Sequence, residues 1–136
     1  LAWARLFSLP GTPVVFQGEE CALLGEKDPN DLQRQPIPWE ACDSGMRGFF
    51  QGLYRLKAEE PALRGPFATY LAEGGLLSFF RGEGEGRLLL AFNNQKAPAS
   101  LPLPQGAWRD LFSGQVHKGQ VEVRPLGFLY RKKASR

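Results

Sequence analysis

The residues of this chain best suited to acid–base chemistry are two adjacent carboxylates, Glu19 and Glu20. Two carboxylates can divide acid and base roles only when both reach the same substrate. Glu19 and Glu20 follow a short apolar run, so we expect them at the end of an extended strand, where successive side chains point to opposite faces. We therefore predict that they hydrogen-bond and fix the following loop, and that they do not form a catalytic pair.

Other residue types that occur in catalytic and metal sites are few. His117 is the single histidine, which makes neither a metal site nor a catalytic triad, and it is predicted to be a solvated turn residue. Cys21 and Cys42 do not have the spacing of a zinc site, and we expect two reduced, partly buried thiols. A single bridge between them stays open, because geometry decides whether two sulfurs meet. We predict no metal and no cofactor.

Composition and charge exclude several classes of protein. The 136 residues are 43% hydrophobic, 23% charged and carry a net charge of +3. Basic residues concentrate at the C-terminal end, residues 131–136, which is expected to be a solvated tail and leaves the rest of the chain about neutral. Neither a nucleic-acid partner nor a membrane span is predicted. The first residues form an apolar run broken at Pro10-Gly11, which is untypical of a signal peptide and indicates a cut or processed chain. We expect a cytoplasmic location.

The first half of the sequence has the pattern of an α/β protein. A helix is predicted to end near Leu9, before Pro10-Gly11. Residues 12–18 form a continuous apolar run, which is typical of a strand buried on both faces of a parallel sheet. A long loop follows at 21–43, and a helix from Asp43 or Ser44 to about Glu60 shows apolar residues at three- and four-residue spacing.

The second half has the pattern of an antiparallel β domain. Short strands alternate with glycine- and asparagine-rich turns, which is typical of a sandwich or Greek key. Trp108, Phe79, Phe80 and Phe92 are predicted to fill its core. The predicted strands are 67–72, 76–81, 87–93, 99–103, 108–112, 121–124 and 128–131.

Four segments carry a resemblance to the α-amylase superfamily of glycoside hydrolases. PGTPVVFQGEE at 10–20 resembles the eighth barrel strand, and DLQRQPIPW at 31–39 is similar to the loop that follows it in the α-glucosidase and oligo-1,6-glucosidase members. Residues 49–64 resemble the eighth helix, while LLLAFNN at 88–94 and WRDLFSG at 108–114 resemble strands of the C-terminal β domain. Two departures, CAL at 21–23 and a longer loop around 28–31, leave the subfamily open.

The resemblance implies a fold of two parts. Residues 1–64 would be an α/β remnant, the last strand and helix of a (β/α)8 catalytic barrel, and residues 65–136 an all-β antiparallel sandwich. It also implies a retaining α-glycosidase acting on α-glucans or malto-oligosaccharides, whose catalytic carboxylates belong to barrel strands that precede Leu1. The expected partners are therefore the missing N-terminal barrel portion and the sugar substrate, and the chain alone is predicted to be inactive.

The resemblance further implies which residues face the sugar. Asp31 and Arg34 would line the substrate side of the loop, where a carboxylate and a guanidinium can hydrogen-bond hydroxyl groups. A salt bridge that braces the loop explains the same pair equally well. Trp39 could stack on a pyranose ring, although anchoring the loop to the barrel is favoured. A different class of function, a free-standing carbohydrate-binding or interaction module, would require a row of exposed aromatic residues on one sheet face.

Overall fold

A computed structural model describes residues 1–24 and 36–134 of the chain. Helix α1 spans Ala2–Ser8 and helix α2 spans Ser44–Glu59. Both were predicted, and the local signals explain their ends. The Asp43 carboxylate accepts a hydrogen bond of 2.7 Å from the backbone N–H of Met46 and so caps α2. Pro61 follows the last turn. Neither helix, within these described residues, is long and apolar enough to cross a membrane.

The segment predicted as a buried strand is unpaired. None of residues 12–16 joins the described sheet, and the side chains of Val14 and Phe16 are 82% and 55% exposed. An interior strand of a parallel sheet needs a neighbour on each side, and the described residues supply none. Burial of this segment within a barrel therefore stays a prediction.

The second half forms one antiparallel sheet of six strands in the order β1-β2-β3-β6-β4-β5. Two predicted strands, 99–103 and 108–112, are one long strand with an irregularity between Pro102 and Ala107. The strand predicted at 121–124 begins earlier, at Val116. The strands are β1 Phe67–Glu73, β2 Leu76–Arg81, β3 Leu88–Asn93, β4 Ala99–Asp110, β5 Val116–Val123 and β6 Phe128–Lys133.

The sheet curls around its own core. The rings of Phe80 on β2 and Trp108 on β4 lie 6.4 Å apart, although β3 and β6 separate their strands in the sheet. Trp108 is buried, as predicted, and its indole N–H donates to the Pro104 carbonyl at 2.9 Å. This inner core also contains leucine and valine residues of β3, β4 and β5. A single curled sheet thus encloses the layer of side chains that was expected between the sheets of a sandwich.

The opposite face of the sheet carries the two helices. Because side chains alternate along a strand, Phe79 points to this face while Phe80 points to the inner core. Phe79 packs in a second core with Phe50 and Leu53 of α2. Phe79 and Phe92, which were predicted to lie in one core with Trp108, both belong to this second core.

Helix α1 and the residue after it are held by three donors from three different elements. The Arg81 guanidinium on β2 and the Tyr130 hydroxyl on β6 donate to the carbonyls of Ser8 and Ala4. The Lys57 ammonium on α2 donates to the Leu9 carbonyl at 2.8 Å. The last carbonyls of a helix have no partner within it, and cations are favoured there by the helix dipole. These bonds fix α1 to the sheet and to α2.

Arg81 is completely buried and bonds to carbonyl groups alone among its described partners. Besides Ser8, it donates to the carbonyls of Leu63 at 2.6 Å and Gly65 at 2.9 Å. Burial lowers the pKa of Arg81. Glycines make this approach possible, since a Cβ on Gly65 would lie 2.7 Å from the Cα of Gly82. The turn at Pro61–Arg64 therefore sits directly against the end of β2.

Replacing Arg81 by Met should destabilise the fold by about 2–4 kcal/mol, because several buried carbonyls lose their donors at once. Urea unfolding followed by circular dichroism measures this loss. Arg87→Met is the matched control: Arg87 is partly exposed, its guanidinium lies 4.2 Å over the Phe80 ring, and the expected loss is below about 1 kcal/mol. Equal losses for the two variants would contradict the role assigned to Arg81.

Tyr130→Phe should alter how stability depends on pH. Burial raises the pKa of Tyr130 above its usual range, so in the folded chain the phenol stays protonated where an unfolded tyrosine, with a pKa of about 10, ionises. The stability that Tyr130 contributes is thus complete below about pH 10 and declines as the pH rises above it. The free-energy difference between wild type and Tyr130→Phe should shrink from pH 8 to pH 11. A constant difference would contradict this reasoning.

Candidate functional site

The cysteines form a disulfide, so the expectation of two reduced thiols is wrong. A short 3₁₀ turn at Glu19–Cys21 lies beside the start of α2, which places the Cα atoms of Cys21 and Cys42 at 4.5 Å, within bridging range. The backbone N–H of Asp43 also donates to the Cys21 carbonyl at 3.2 Å. The bridge and this hydrogen bond therefore hold Cys21 next to Cys42 and Asp43. The spacing of the two cysteines in the sequence could not show this.

Trp39 lies near this bridge and is half exposed. It begins a 3₁₀ turn, Trp39–Ala41, and 54% of its surface is accessible. The guanidinium of Arg47, on the first turns of α2, lies 5.6 Å from the centre of its ring. An indole with one covered and one open face can stack on a sugar ring or pack against another part of a protein. The predicted site role of Trp39 therefore stays a prediction, and Asp31 and Arg34 lie outside the described residues.

Glu20 makes a hydrogen bond within its own turn, and the predicted role of the two glutamates in fixing the following loop stays a prediction. Its carboxylate accepts a hydrogen bond of 3.0 Å from the backbone N–H of Gly18. Gly18 has a φ of 93°, a left-handed conformation that suits glycine and turns the chain. The two glutamates thus belong to a 3₁₀ turn instead of an extended strand end. Within the described part of the chain, no group of three potential metal ligands occurs.

His117 is a strand residue, which corrects its assignment to a turn. It lies on β5 opposite Trp108, and its Nδ1 is 3.1 Å from a guanidinium nitrogen of Arg131. Because the arginine side chain can only donate, His117 Nδ1 is the acceptor of this hydrogen bond. The bond explains why the histidine is partly covered.

Residues 131–133 are not the solvated tail that their charge suggested. All three belong to β6, and Arg131 is buried, donating to the Trp108 carbonyl at 3.1 Å. Burial lowers the pKa of Arg131, while the nearby Asp110 carboxylate opposes this shift. Lys132 pairs with Glu60 at 2.8 Å and Lys133 with Glu85 at 2.7 Å. The basic run 131–133 is therefore part of a central strand, which lies between β3 and β4 in the sheet.

The groups whose pKa is shifted by burial are the partly buried Lys57 and the buried Arg81, Tyr130 and Arg131. Burial lowers the pKa of Lys57, and the neighbouring guanidinium of Arg81 lowers it further. None of these groups adjoins Trp39. Sequence reasoning had not identified Arg81 or Tyr130, because their partners lie far away along the chain. The described part of the molecule thus offers structural ionisable groups and one half-exposed tryptophan, but no acid–base pair facing a common cleft.

Comparisons with known proteins connect this architecture to starch-degrading enzymes. No protein-family model matches the sequence. Alpha-amylase 2 of Dictyoglomus thermophilum is 27% identical over 130 residues, which cover 88% of this chain and 23% of that protein. The structure of the type III pullulan hydrolase from Thermococcus kodakarensis aligns with a TM-score of 0.82 and 38% identity over 96% of this chain and 22% of that chain.

A third relative extends the fold comparison. The α-amylase from Geobacillus thermoleovorans, solved with acarbose, aligns with a TM-score of 0.83 over 99% of this chain and 33% of that chain, at 20% identity. This chain therefore spans between about a fifth and a third of these relatives. Its six-stranded antiparallel sheet matches the C-terminal β domain of such enzymes. The chain belongs to the α-amylase family of glycoside hydrolases and corresponds to a C-terminal part of them.

Proposed function

We propose that this chain is the C-terminal portion of a retaining α-glycosidase that acts on α-glucans or malto-oligosaccharides. In this proposal, residues 1–64 complete the (β/α)8 catalytic barrel and residues 65–136 form a domain that stabilises it. The chain contributes one loop of the active site and no catalytic carboxylate. The family membership and the activities of the relatives, an α-amylase and a pullulan hydrolase, support this substrate class.

The uneven distribution of exposed apolar side chains carries the proposal. Val14, Phe16 and Leu24 are 82%, 55% and 101% exposed, whereas the curled sheet buries its own core. Concentrated exposed apolar surface marks a contact with another part of a protein. The first part of the chain is therefore incomplete without a partner, and the missing strands of a barrel are the partner that an unpaired, extended apolar segment fits.

The β domain would hold the end of the barrel in place. The bonds from Arg81 and Tyr130 to α1 and the pairing of Lys132 with Glu60 tie the sheet to both helices. Since α1 and α2 would flank the eighth strand, these bonds would fix the last strand and helix against the remainder of the barrel. The loop at its substrate side would then present Trp39, together with the predicted Asp31 and Arg34, from a rigid support.

The chemistry would come from the rest of the enzyme. Retaining hydrolysis needs a nucleophilic carboxylate and an acid–base carboxylate about 5 Å apart. In this chain the Glu20 carboxylate is engaged with the Gly18 backbone, and Glu19 is solvent-exposed on the same turn. We therefore assign neither of them to catalysis. Binding and orientation of the sugar are the steps to which this chain would contribute.

A free-standing carbohydrate-binding module is not favoured. The exposed aromatic residues of the described β domain, Phe67 and Phe112, lie on β1 and in the turn after β4. Their rings contact Phe79 and Phe128, at 4.4 Å and 5.3 Å between centroids, and so pack against residues of the second core. They do not form the row on one sheet face that such a module would use.

The isolated 136-residue chain should not hydrolyse maltotriose or a nitrophenyl α-glucoside, whereas the whole enzyme should, because the catalytic carboxylates belong to the rest of the barrel. Release of reducing sugar and of nitrophenol measures the two activities. In the whole enzyme, Glu19→Ala should leave kcat within about twofold of wild type. Turnover by the isolated chain that disappears in its Glu19→Ala variant would contradict the proposal.

The double substitution Val14→Ser and Phe16→Ser should have opposite effects in the two contexts. In the isolated chain it should reduce self-association, because it removes exposed apolar surface. In the whole enzyme it should lower the free energy of unfolding by about 3 kcal/mol, since both side chains would be buried there. Light scattering and urea unfolding measure these effects. Leu126→Ser, at a residue 54% exposed in the β domain, is the control and should change neither self-association nor stability. If the double substitution left the stability of the whole enzyme unchanged, this would contradict burial of the segment in a barrel.

A further inference from the structure

The turn that carries Trp39 has few contacts with the rest of the described chain. Its own hydrogen bonds are local, from the Ala41 N–H to the Pro38 carbonyl at 2.9 Å and from the Cys42 N–H to the Trp39 carbonyl at 3.4 Å. The Arg47 guanidinium covers one side of the ring. These contacts orient the indole relative to α2, but they do not connect it to the segment that follows the proposed barrel strand.

The connection to that segment is made at Cys21 and Cys42. Cys21 is 2% exposed, and it ends a turn that packs against α2. Its sulfur is bonded to that of Cys42, three residues after Trp39, and its carbonyl accepts from the Asp43 N–H at 3.2 Å. A covalent bond at this point limits how far the Trp39 turn can move from the end of the 12–18 segment.

We propose that the Cys21–Cys42 disulfide is a redox-sensitive clasp that positions Trp39 for the sugar substrate. Both cysteines are positioning residues, and neither touches the reacting atoms. With the bridge closed, the indole is held in its binding orientation before substrate arrives. With the bridge open, substrate binding has to order this turn, so affinity falls while the chemical step is unchanged. This inference rests on the proposed function, because it takes the substrate of that enzyme as the ligand.

The switch is an ordinary thiol–disulfide exchange. One thiolate of a dithiol reductant attacks a sulfur of the bridge, which breaks the Cys21–Cys42 bond and forms a mixed disulfide. The second thiol of the reductant then displaces the remaining cysteine. Two electrons pass from the reductant, which becomes a cyclic disulfide, to the protein, which gains two thiols. An oxidised dithiol of higher potential drives the reverse reaction.

The test compares the oxidised whole enzyme with the same enzyme treated with dithiothreitol. Thiol titration should show two new thiols, and circular dichroism should show that the enzyme stays folded at the assay temperature. With maltotriose, KM should rise about 3- to 10-fold on reduction, while kcat stays within about twofold. The double variant Cys21→Ala, Cys42→Ala should match the reduced enzyme without added reductant. An unchanged KM, or a kcat that falls in step with kcat/KM, would overturn the proposal.

A second variant separates positioning of Trp39 from a general effect on stability. Trp39→Ala should raise KM in the oxidised enzyme, and reduction should then add less than about twofold, because the clasp acts through the missing indole. If reduction multiplies KM equally in wild type and Trp39→Ala, the bridge acts elsewhere and the proposal fails.

A spectroscopic measurement does not depend on sugar hydrolysis. In enzyme labelled with 5-fluorotryptophan, the ¹⁹F signal of Trp39, assigned with Trp39→Phe, should shift or broaden on reduction, while those of Trp3 and Trp108 should not. An enzyme that shows this change but degrades no α-glucan would refute the proposed function and leave the clasp standing. An unchanged signal would overturn the clasp itself.

Discussion

The attachment of α1 to the sheet depends on the buried Arg81 guanidinium. A charged group without water is costly unless its donors are used. Here the two terminal nitrogens of Arg81 donate to the carbonyls of Ser8, Leu63 and Gly65, while its buried Nε has no partner among the described residues. These carbonyls come from the end of α1 and from the turn after α2. One side chain of β2 thus joins three segments whose backbone groups would otherwise be buried without partners.

Aromatic packing extends this joint across the sheet. The Phe112 ring lies edge-on to Phe128 and Tyr130, with centroids 5.3 Å and 5.7 Å away, and packs against α2 where Gly52 has no side chain. The turn that presents Phe112 is shaped by Asp110, whose carboxylate accepts from the backbone N–H groups of Phe112 and Ser113. A Cβ on Gly52 would lie 3.5 Å from the Phe112 ring, whereas nothing lies within 4 Å of a Cβ on Gly48.

The first segment of the chain and the β domain differ in how completely they bury their apolar side chains. The curled sheet encloses Trp108 and its neighbours, while the extended segment after α1 leaves Val14 and Phe16 in contact with solvent. This difference supports our proposals that the sheet has a supporting role and that the first segment belongs to a barrel. The disulfide lies close to this segment, because Cys21 is in the turn that follows residues 12–18 and packs against α2.

Much of the secondary structure followed from local signals in the sequence. Asp43 as a cap, Pro61 after the last turn and apolar residues at helical spacing predicted α2 nearly to its ends. Glycine-rich turns predicted most of the boundaries between strands. The break predicted between residues 103 and 108 is an irregularity inside one strand, because both halves pair with the same neighbour, β5. The family resemblance also rested on short contiguous motifs, and the comparisons confirm it.

The sequence by itself determined the helices, most strand positions, the antiparallel character of the second half and the family, because each depends on residues close together along the chain. Only the tertiary structure decided the Cys21–Cys42 bridge, the burial of Arg81 and Arg131, the pairing of His117 and the curl of the sheet. The physical reason is that these features depend on the distances between groups far apart in sequence, and charge or residue type alone does not set those distances.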